Sequence, residues 1–233
     1  MSVSERQCWA LAAIALSGTA PVSAAERTLS ITDFDRIQAT GAMTVIVKRS
    51  NATSVRIVGD SHDLETIDAS VHGQTLKIGV AHFGWGSNTV ARAPLTVYVS
   101  TPHLSLVGFT GSGRIEIDEL RGPKVNAWLS GSGSMIIGQA DVENLSLAVA
   151  GSGQLTVGGR IAQAKLEAIG SATLDAAGLT SQDATLTAYG ASTITARATR
   201  SADATATGAA SIHVDGHPAC SVHNTGAGAV TCD

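Results

Sequence analysis

The sequence is poor in aromatic side chains and in charge. Aromatic residues make up 3% and charged residues 15% of the 233-residue chain, and Ala, Gly, Ser and Thr take their place. Because small side chains cannot span a thick core, a fold built from them must bring its backbone layers close together. The net charge of -4 at pH 7 is modest, and no stripe of Lys and Arg is present. A nucleic-acid-binding surface is therefore not expected.

Long apolar runs are scarce as well. The one at the start, CWALAAIAL at residues 8–16, follows Arg6 and precedes the small residues PVSA at 21–24. This order is typical of a secretory signal peptide and predicts cleavage after Ala24. The run is too short to span a bilayer comfortably, and no later segment is long and apolar enough. We expect residues 1–24 to be removed and the mature chain to be exported without spanning the membrane.

What the sequence does contain is a repeat. In the second half of the chain a glycine recurs with a period of about 18 to 20 residues, a spacing typical of stacked repeats. Each time it is followed by two small residues, at first in the form Gly-Ser-Gly. An earlier glycine stands in a similar frame. These glycines are Gly41, Gly111, Gly131, Gly151, Gly170, Gly190, Gly208 and Gly226.

Apolar residues alternate with polar or small ones on both sides of each glycine. Around Gly151, for example, Leu147 and Val149 precede it, and Leu155 and Val157 follow it. A period of two indicates strands with one buried face. Each unit therefore reads as strand, glycine corner, strand and turn, and only stacked units could bury the inner faces. A glycine suits the corner because a Cβ would resist the sharp bend or the approach of the next rung.

These patterns predict an all-β, single-domain, right-handed parallel β-solenoid with rungs of about 18 to 20 residues. A stack of β-hairpins is the alternative, because a three-residue turn would give the same symmetry about each glycine. The solenoid is favoured by the steady unit length. We expect one domain over residues 28–233, with a less regular part at 28–107 and regular repeats at 107–233.

Of the three cysteines, Cys8 leaves with the signal peptide, whereas Cys220 and Cys232 remain. Two cysteines in an exported chain favour a disulfide over two buried free thiols. Each lies six residues from Gly226, so both should point inward in the last rung. A bridge there would close the C-terminal end of the solenoid, where open strand edges would otherwise favour aggregation.

The order of motifs resembles a known bacterial family. FDRIQATGAMTVIV, VRIVGDSHDLETIDASV and LTVYVSTPHLSLVGFTGSGRI, followed by the Gly-Ser-Gly repeats, are similar to the head GIN domain of putative auto-transporter adhesins. The resemblance covers roughly residues 31–215. It implies an exported β-solenoid-like protein of a bacterium, periplasmic, secreted or at the cell surface, with an adhesive role. The family supplies no catalytic motif to carry over.

The residues give little support for an enzyme. Ser112, Ser132 and Ser152 lack the glycine spacing of a nucleophile elbow. Glycoside hydrolysis needs two convergent carboxylates, but Glu167 lies on the arm before its glycine, whereas Glu116 and Asp175 lie on the arm after theirs. No cofactor is implied. We expect no metal site either, because the C-terminal histidines, His213, His217 and His223, show no recognisable ligand spacing.

Surface aromatic residues are the best candidates for ligand binding. Trp128 and Tyr189 stand at outward-facing offsets, and Phe83 and Trp85 lie in a Gly-rich segment at 81–94. Exposed aromatics often mark binding sites, including sites where sugars stack. The sequence thus favours a non-enzymatic binding or scaffold module for glycans or envelope components. A carbohydrate-active enzyme on the same scaffold and a structural protein that self-associates through its ends are the alternatives.

Overall fold

The computed structural model describes residues 25–80 and 95–233. The fold is a β-solenoid with about six turns of stacked parallel strands, which confirms the predicted fold class. One short helix, α1 (Ser61–Thr66), accompanies the strands. The strands are β1 (Ala25–Leu29), β2 (Arg36–Gly41), β3 (Thr44–Arg49), β4 (Ser54–Gly59), β5 (Ile67–His72), β6 (Thr75–Val80), β7 (Thr96–Thr101), β8 (Leu106–Gly111), β9 (Arg114–Gly131), β10 (Ser134–Gly151), β11 (Gln154–Gly170), β12 (Thr173–Gly190), β13 (Thr193–Gly208), β14 (Ser211–Asp215), β15 (Ala219–Gly226) and β16 (Ala229–Cys232).

The regular rungs pair in parallel and in register. Leu147 of β10 lies between Ala127 of β9 and Leu166 of β11, and the same alignment continues along the strands. The hairpin alternative is wrong, because the arms on either side of each glycine pair with neighbouring rungs in parallel.

The glycine corners are stacked on one another in a single column. All eight glycines of the repeat have positive φ, and each pairs in register with the glycine of the adjoining rung. At Gly151, φ is +107°, and an added Cβ would lie 2.5 Å from the carbonyl oxygen of Gly131. The same oxygen accepts a hydrogen bond of 2.9 Å from the backbone N–H of Ser152. The corner therefore requires glycine both for its dihedral angle and for the close approach of the rungs.

The second bend of each rung differs from the expected turn. From β9 to β12 each strand runs without a break from one corner to the next, over 17 or 18 residues. The register shifts there, between Ile137 and Ala140 in one rung and between Ala176 and Thr180 in another. These bulges absorb the small differences in length between rungs, so the glycine corners stay aligned.

The core becomes thinner toward the C-terminus. From the Gly111 rung to the Gly208 rung, the inward column formed by the residue two positions before the corner glycine decreases in size and is fully buried: Phe109, Leu129, Val149, Ala168, Ala188 and Ala206. Since every rung contributes one side chain to this column, its residue volumes set the separation of the two arms. The scarcity of aromatic residues in the sequence follows from this narrow interior.

The N-terminal end is covered. β6 and β7 pair in parallel with β2 and β3, and so form a further rung on the Gly41 rung. Two antiparallel strands border this rung, since β5 pairs with β6 and β4 pairs with β7. β1 then pairs with β4 on the outer side, also antiparallel. Helix α1 joins β4 to β5 and buries Leu64.

The C-terminal end is closed by a disulfide between Cys220 and Cys232, which confirms the predicted bridge. The bond links β15 on one arm to β16 on the other. Both cysteines stand in inward register, opposite the buried Ala202 and Val214. Cys220 is nevertheless exposed and Cys232 only half-buried, because in the described chain no rung lies beyond them.

Candidate binding face

The segments that precede the corner glycines form one flat side of the solenoid. On four successive rungs, the outward side chains seven, five and three residues before the glycine define what we call the first-arm face. Its residues are Lys124, Asn126 and Trp128; Asn144, Ser146 and Ala148; Gln163, Lys165 and Glu167; and Asp183, Thr185 and Thr187. Because parallel pairing keeps equal positions opposite each other, these side chains form columns that run along the stack. Neighbours within a column are about 4.8 Å apart.

A groove of about 550 Å³ lies in this face. Side chains at the seven- and five-residue positions of the four rungs line it, and the strand backbone at Leu145 and Ala164 lies beneath. The short side chain of Ser146 lies between the longer ones of Asn126 and Lys165 on the adjacent rungs. This difference in length makes the otherwise flat surface concave.

The groove offers many hydrogen-bonding groups that the protein itself leaves unused. Four of its side chains make no hydrogen bond or ion pair within residues 25–80 and 95–233: Lys124, Asn126, Gln163 and Lys165. Asn144 donates one long hydrogen bond of 3.4 Å to the carbonyl oxygen of Pro123. The groove thus presents amides and ammonium groups directly to a ligand.

Asp183 borders the groove, but its carboxylate is already bound by Arg200 and Ser201. Arg200 donates two hydrogen bonds to its carboxylate, the one from Nε being 2.7 Å long. The Ser201 hydroxyl donates another, also of 2.7 Å. The bonds from Arg200, and then that from Ser201, lower the pKa of Asp183 from 3.8 to about 2.

This pair gives a pH prediction. Because the pKa of Asp183 is lower in the folded chain than its ordinary 3.8, its stabilising effect is present above that value and is lost as the pH falls toward 2. We expect a carboxyl NMR titration to show Asp183 titrating near 2, and the Arg200→Gln variant to move the pKa back toward 3.8. Arg197→Gln, which removes an exposed neighbouring arginine, should leave it unchanged. An unchanged pKa in Arg200→Gln would contradict this assignment.

Among the predicted aromatic residues, Trp128 lies beside the groove, outside its lining. It is half-buried on the first-arm face, two residues along the strand from Asn126 in the lining. Its indole covers Gly108 of the adjoining rung, where an added Cβ would lie 2.3 Å from the indole Cζ2. The absence of a side chain at Gly108 therefore gives the indole its place on the surface.

Tyr189 is not brought to the groove. Tyr189 is 41% exposed beside Ile169, at 42%, close to the glycine corner and away from the lining. Phe83 and Trp85 lie outside the described residues. The candidate site thus retains one of the aromatic residues named from the sequence.

Sequence reasoning named Trp128 as a candidate but did not predict the groove. The signal was present in four long or charged residues that stand seven positions before four successive glycines: Lys124, Asn144, Gln163 and Asp183. A single polar residue on an outward position is ordinary. A concave site emerges only when side-chain lengths are compared across rungs rather than along the chain.

The carboxylates considered for glycoside hydrolysis do not converge. Glu116 and Asp175 occupy one outward column of the arm that follows the glycine, but three rungs separate them, or about 14 Å. Glu116 also accepts a hydrogen bond of 2.5 Å from Arg114. Glu167 lies on the other arm. They therefore cannot act as an acid and base pair on one glycosidic bond.

The histidines at the C-terminal end are not brought together as one group. His213 instead lies with Asp215 and Asp233, whose potential ligand atoms are all within 4.8 Å of one another. Nε2 of His213 is 3.1 Å from the Asp215 carboxylate, and Nδ1 is 2.7 Å from the Thr231 hydroxyl. Both ring nitrogens thus already have partners, and the contact with Thr231 ties β14 to β16.

A comparison with protein families gives a match over most of the chain. The family model described as "Putative auto-transporter adhesin, head GIN domain" matches residues 33–218. A search of curated proteins finds no match. No helix in residues 25–80 or 95–233 has the length and hydropathy needed to cross a membrane.

Solved structures share the fold at low sequence identity. A "putative adhesin" from Bacteroides fragilis is 22% identical with a TM-score of 0.83, over 91% of this chain and 97% of that one. A "putative lipid binding protein" from Parabacteroides distasonis is 22% identical with a TM-score of 0.74, over 91% and 98%. A "putative adhesin" from Parabacteroides merdae is 18% identical with a TM-score of 0.72, over 91% and 97%. At these identities the likeness shows the fold alone.

Proposed function

Because this chain belongs to the head GIN domain family of putative auto-transporter adhesins, we propose that it is an exported, non-enzymatic binding protein that attaches to glycans of the bacterial envelope or of a cell surface. The observation that carries the proposal is the groove in the first-arm face, with Trp128 beside it. The predicted signal peptide and the disulfide agree with an oxidising compartment, periplasmic or outside the cell.

The chemistry of the groove suits a saccharide. Sugar hydroxyls both donate and accept hydrogen bonds, and the side-chain amides of Asn126, Asn144 and Gln163 can do the same. Trp128 adds an apolar ring on which the face of a pyranose can stack. Both features lie on parallel strands of a rigid stack, so little conformational entropy is lost when a ligand binds.

A lipid ligand fits the groove less well. One structural neighbour is described as a "putative lipid binding protein", but the lining here consists mainly of amide, hydroxyl and charged side chains. An acyl chain would desolvate these groups without giving them hydrogen bonds, which is costly. We therefore favour a glycan.

The test is binding of the mature chain, residues 25–233, to a glycan array and to whole bacterial cells. We expect Trp128→Ala to weaken binding about tenfold through loss of stacking, and Trp128→Phe to retain most of it. Gly108→Ala should also weaken binding, because the new Cβ would displace the indole without removing it. Tyr98→Ala serves as the control, because Tyr98 lies on β7, in the other arm of the solenoid.

Two results would contradict the proposal. If no glycan and no cell surface binds the wild-type chain, the protein is not an adhesin of this kind, and a structural role becomes the better explanation. If Trp128→Ala and Gly108→Ala both bind like the wild type, the binding site lies elsewhere on the molecule.

A further inference from the structure

The groove concentrates positive charge on a chain whose net charge is -4. Lys124 and Lys165 line it, and neither forms an ion pair within the described residues. The acidic lining residue, Asp183, is already neutralised by Arg200. The nearby Glu167 stands in the next column, outside the lining. A ligand in the groove therefore meets two ammonium groups that form no ion pair with a carboxylate of the described residues.

From this arrangement we infer that the groove binds an acidic polysaccharide, a glycan chain that carries carboxylate groups, with Lys124 and Lys165 pairing to successive acidic sugars. The inference rests on the proposed function and specifies its ligand. An ammonium group pairs strongly with a carboxylate when no other charge competes for it.

The spacing of the lysines suits a polymer. Lys124 and Lys165 lie two rungs apart, about 10 Å along the stack, and two residues apart across it. Two acid groups spaced along one chain can pair with both ammonium groups while the lysine side chains stay extended. An extended saccharide chain crossing the rungs can do so, with its intervening hydroxyls against Asn126, Asn144 and Gln163.

An anionic membrane surface would also attract lysines, but the rest of the groove argues against it. Peripheral membrane binding normally combines basic residues with apolar side chains that insert between lipids. The lining residues beside the two lysines are Asn126, Ser146 and Thr185, and none of these would insert. Trp128, Ile169 and Tyr189 are apolar, but they lie outside the lining. The polar lining instead matches a ligand with hydroxyl groups along its whole length.

The experiment compares matched probes by isothermal titration calorimetry on residues 25–233. The acidic probes are polygalacturonate, alginate and hyaluronate, and the neutral probe is fully methyl-esterified polygalacturonate. Vesicles of phosphatidylglycerol and phosphatidylcholine form a further arm. The variants are Lys124→Gln, Lys165→Gln and the double variant. Lys48→Gln removes a lysine from β3, outside the groove, and Glu167→Gln removes the nearby carboxylate.

We expect at least one acidic polysaccharide to bind, with an affinity that falls as salt is raised, and the methyl ester to bind much more weakly. Each groove variant should lose about tenfold in affinity, and the double variant about a hundredfold, because the two sites are far enough apart to be additive. Lys165→Arg should keep the affinity of the wild type. Lys48→Gln should have no effect, and Glu167→Gln should bind at least as tightly as the wild type.

Other outcomes separate the inference from the function on which it rests. Equal binding of the acidic and the esterified polymer, with no effect of the lysine variants, would overturn the acidic ligand but leave glycan binding intact. Binding to vesicles alone would overturn the saccharide as ligand. Failure of every acidic polysaccharide, while glycan-array binding still depends on Trp128, would overturn the inference alone.

Discussion

Replacing Gly151 with alanine should lower the free energy of unfolding by about 3 kcal/mol. The variant must hold an L-residue at φ +107°, and its Cβ would lie 2.5 Å from the carbonyl oxygen of Gly131. Neither atom can move freely, because the same oxygen accepts the N–H of Ser152 and both strands are paired on two sides. The rungs would have to separate locally.

Variants of two other glycines separate the two causes of this loss, which are the positive φ angle and the close contact with the neighbouring rung. Gly73 has φ +62° with no atom within 4 Å of an added Cβ, so Gly73→Ala should cost about 1 kcal/mol from the dihedral angle alone. Gly178 does not have positive φ, and the nearest neighbour of its added Cβ would be 3.5 Å away. Gly178→Ala should therefore be close to neutral.

Urea unfolding of the three variants measures these differences through the midpoint and the m-value. A lower m-value for Gly151→Ala would indicate that the solenoid no longer unfolds as one unit, since each rung contacts only its neighbours. If Gly151→Ala is no less stable than Gly73→Ala, the close packing of the corners contributes nothing, and the explanation given for the regular spacing of the repeat is wrong.

Removing the disulfide should release the last rung rather than unfold the chain. The bond joins residues 12 apart in sequence, and a loop of this size corresponds to about 3 kcal/mol of stabilisation in the chain-entropy model. β15 has no buried residue to compensate, so little else holds it. In the Cys220→Ser, Cys232→Ser double variant we expect residues 219–232 to lose protection from hydrogen exchange by about a hundredfold or more.

The rest of the chain provides the internal control. Amides of β10 and β11 are paired on both sides and should exchange as in the wild type. Reduced wild-type protein should behave like the double variant. Uniformly faster exchange along the whole chain would show that the last rung is coupled to the entire solenoid, and unchanged exchange at 219–232 would show that strand pairing alone holds it.

The repeat could be predicted from sequence because its physics is local. A glycine with alternating apolar residues on both sides specifies a corner and two inward faces wherever it occurs, so Leu147 and Val149 could be assigned to the core without a structure. The inward register of the two cysteines followed from the same counting. Their exposure did not, because it depends on where the stack ends.

The second bend, the N-terminal cap and the groove could not be found in this way. No residue type recurs at the second bend. The register shifts after Ile137 in one rung and after Ala176 in another, and the bulges differ in size. Gly41 and Gly111 pair directly although β4 to β7 lie between them in the chain, and sequence spacing alone gives no sign that the rungs adjoin. The groove depends on contrasts in side-chain length between rungs, such as that between Ser146 and its neighbours.

The bulges at the second bend have a consequence for how such a molecule can diversify. Residues can be gained or lost there without moving the glycine column, and this chain contains an extreme case. The described segments between Arg49 at the end of β3 and Leu106 at the start of β8, namely β4 to β7 and α1, enter the chain where a second bend would otherwise join these two strands. An entire cap has therefore been inserted at a position where neighbouring rungs differ only slightly in length. The second bend is the place at which new segments could be grafted onto this scaffold while the corners and the first-arm face keep their geometry.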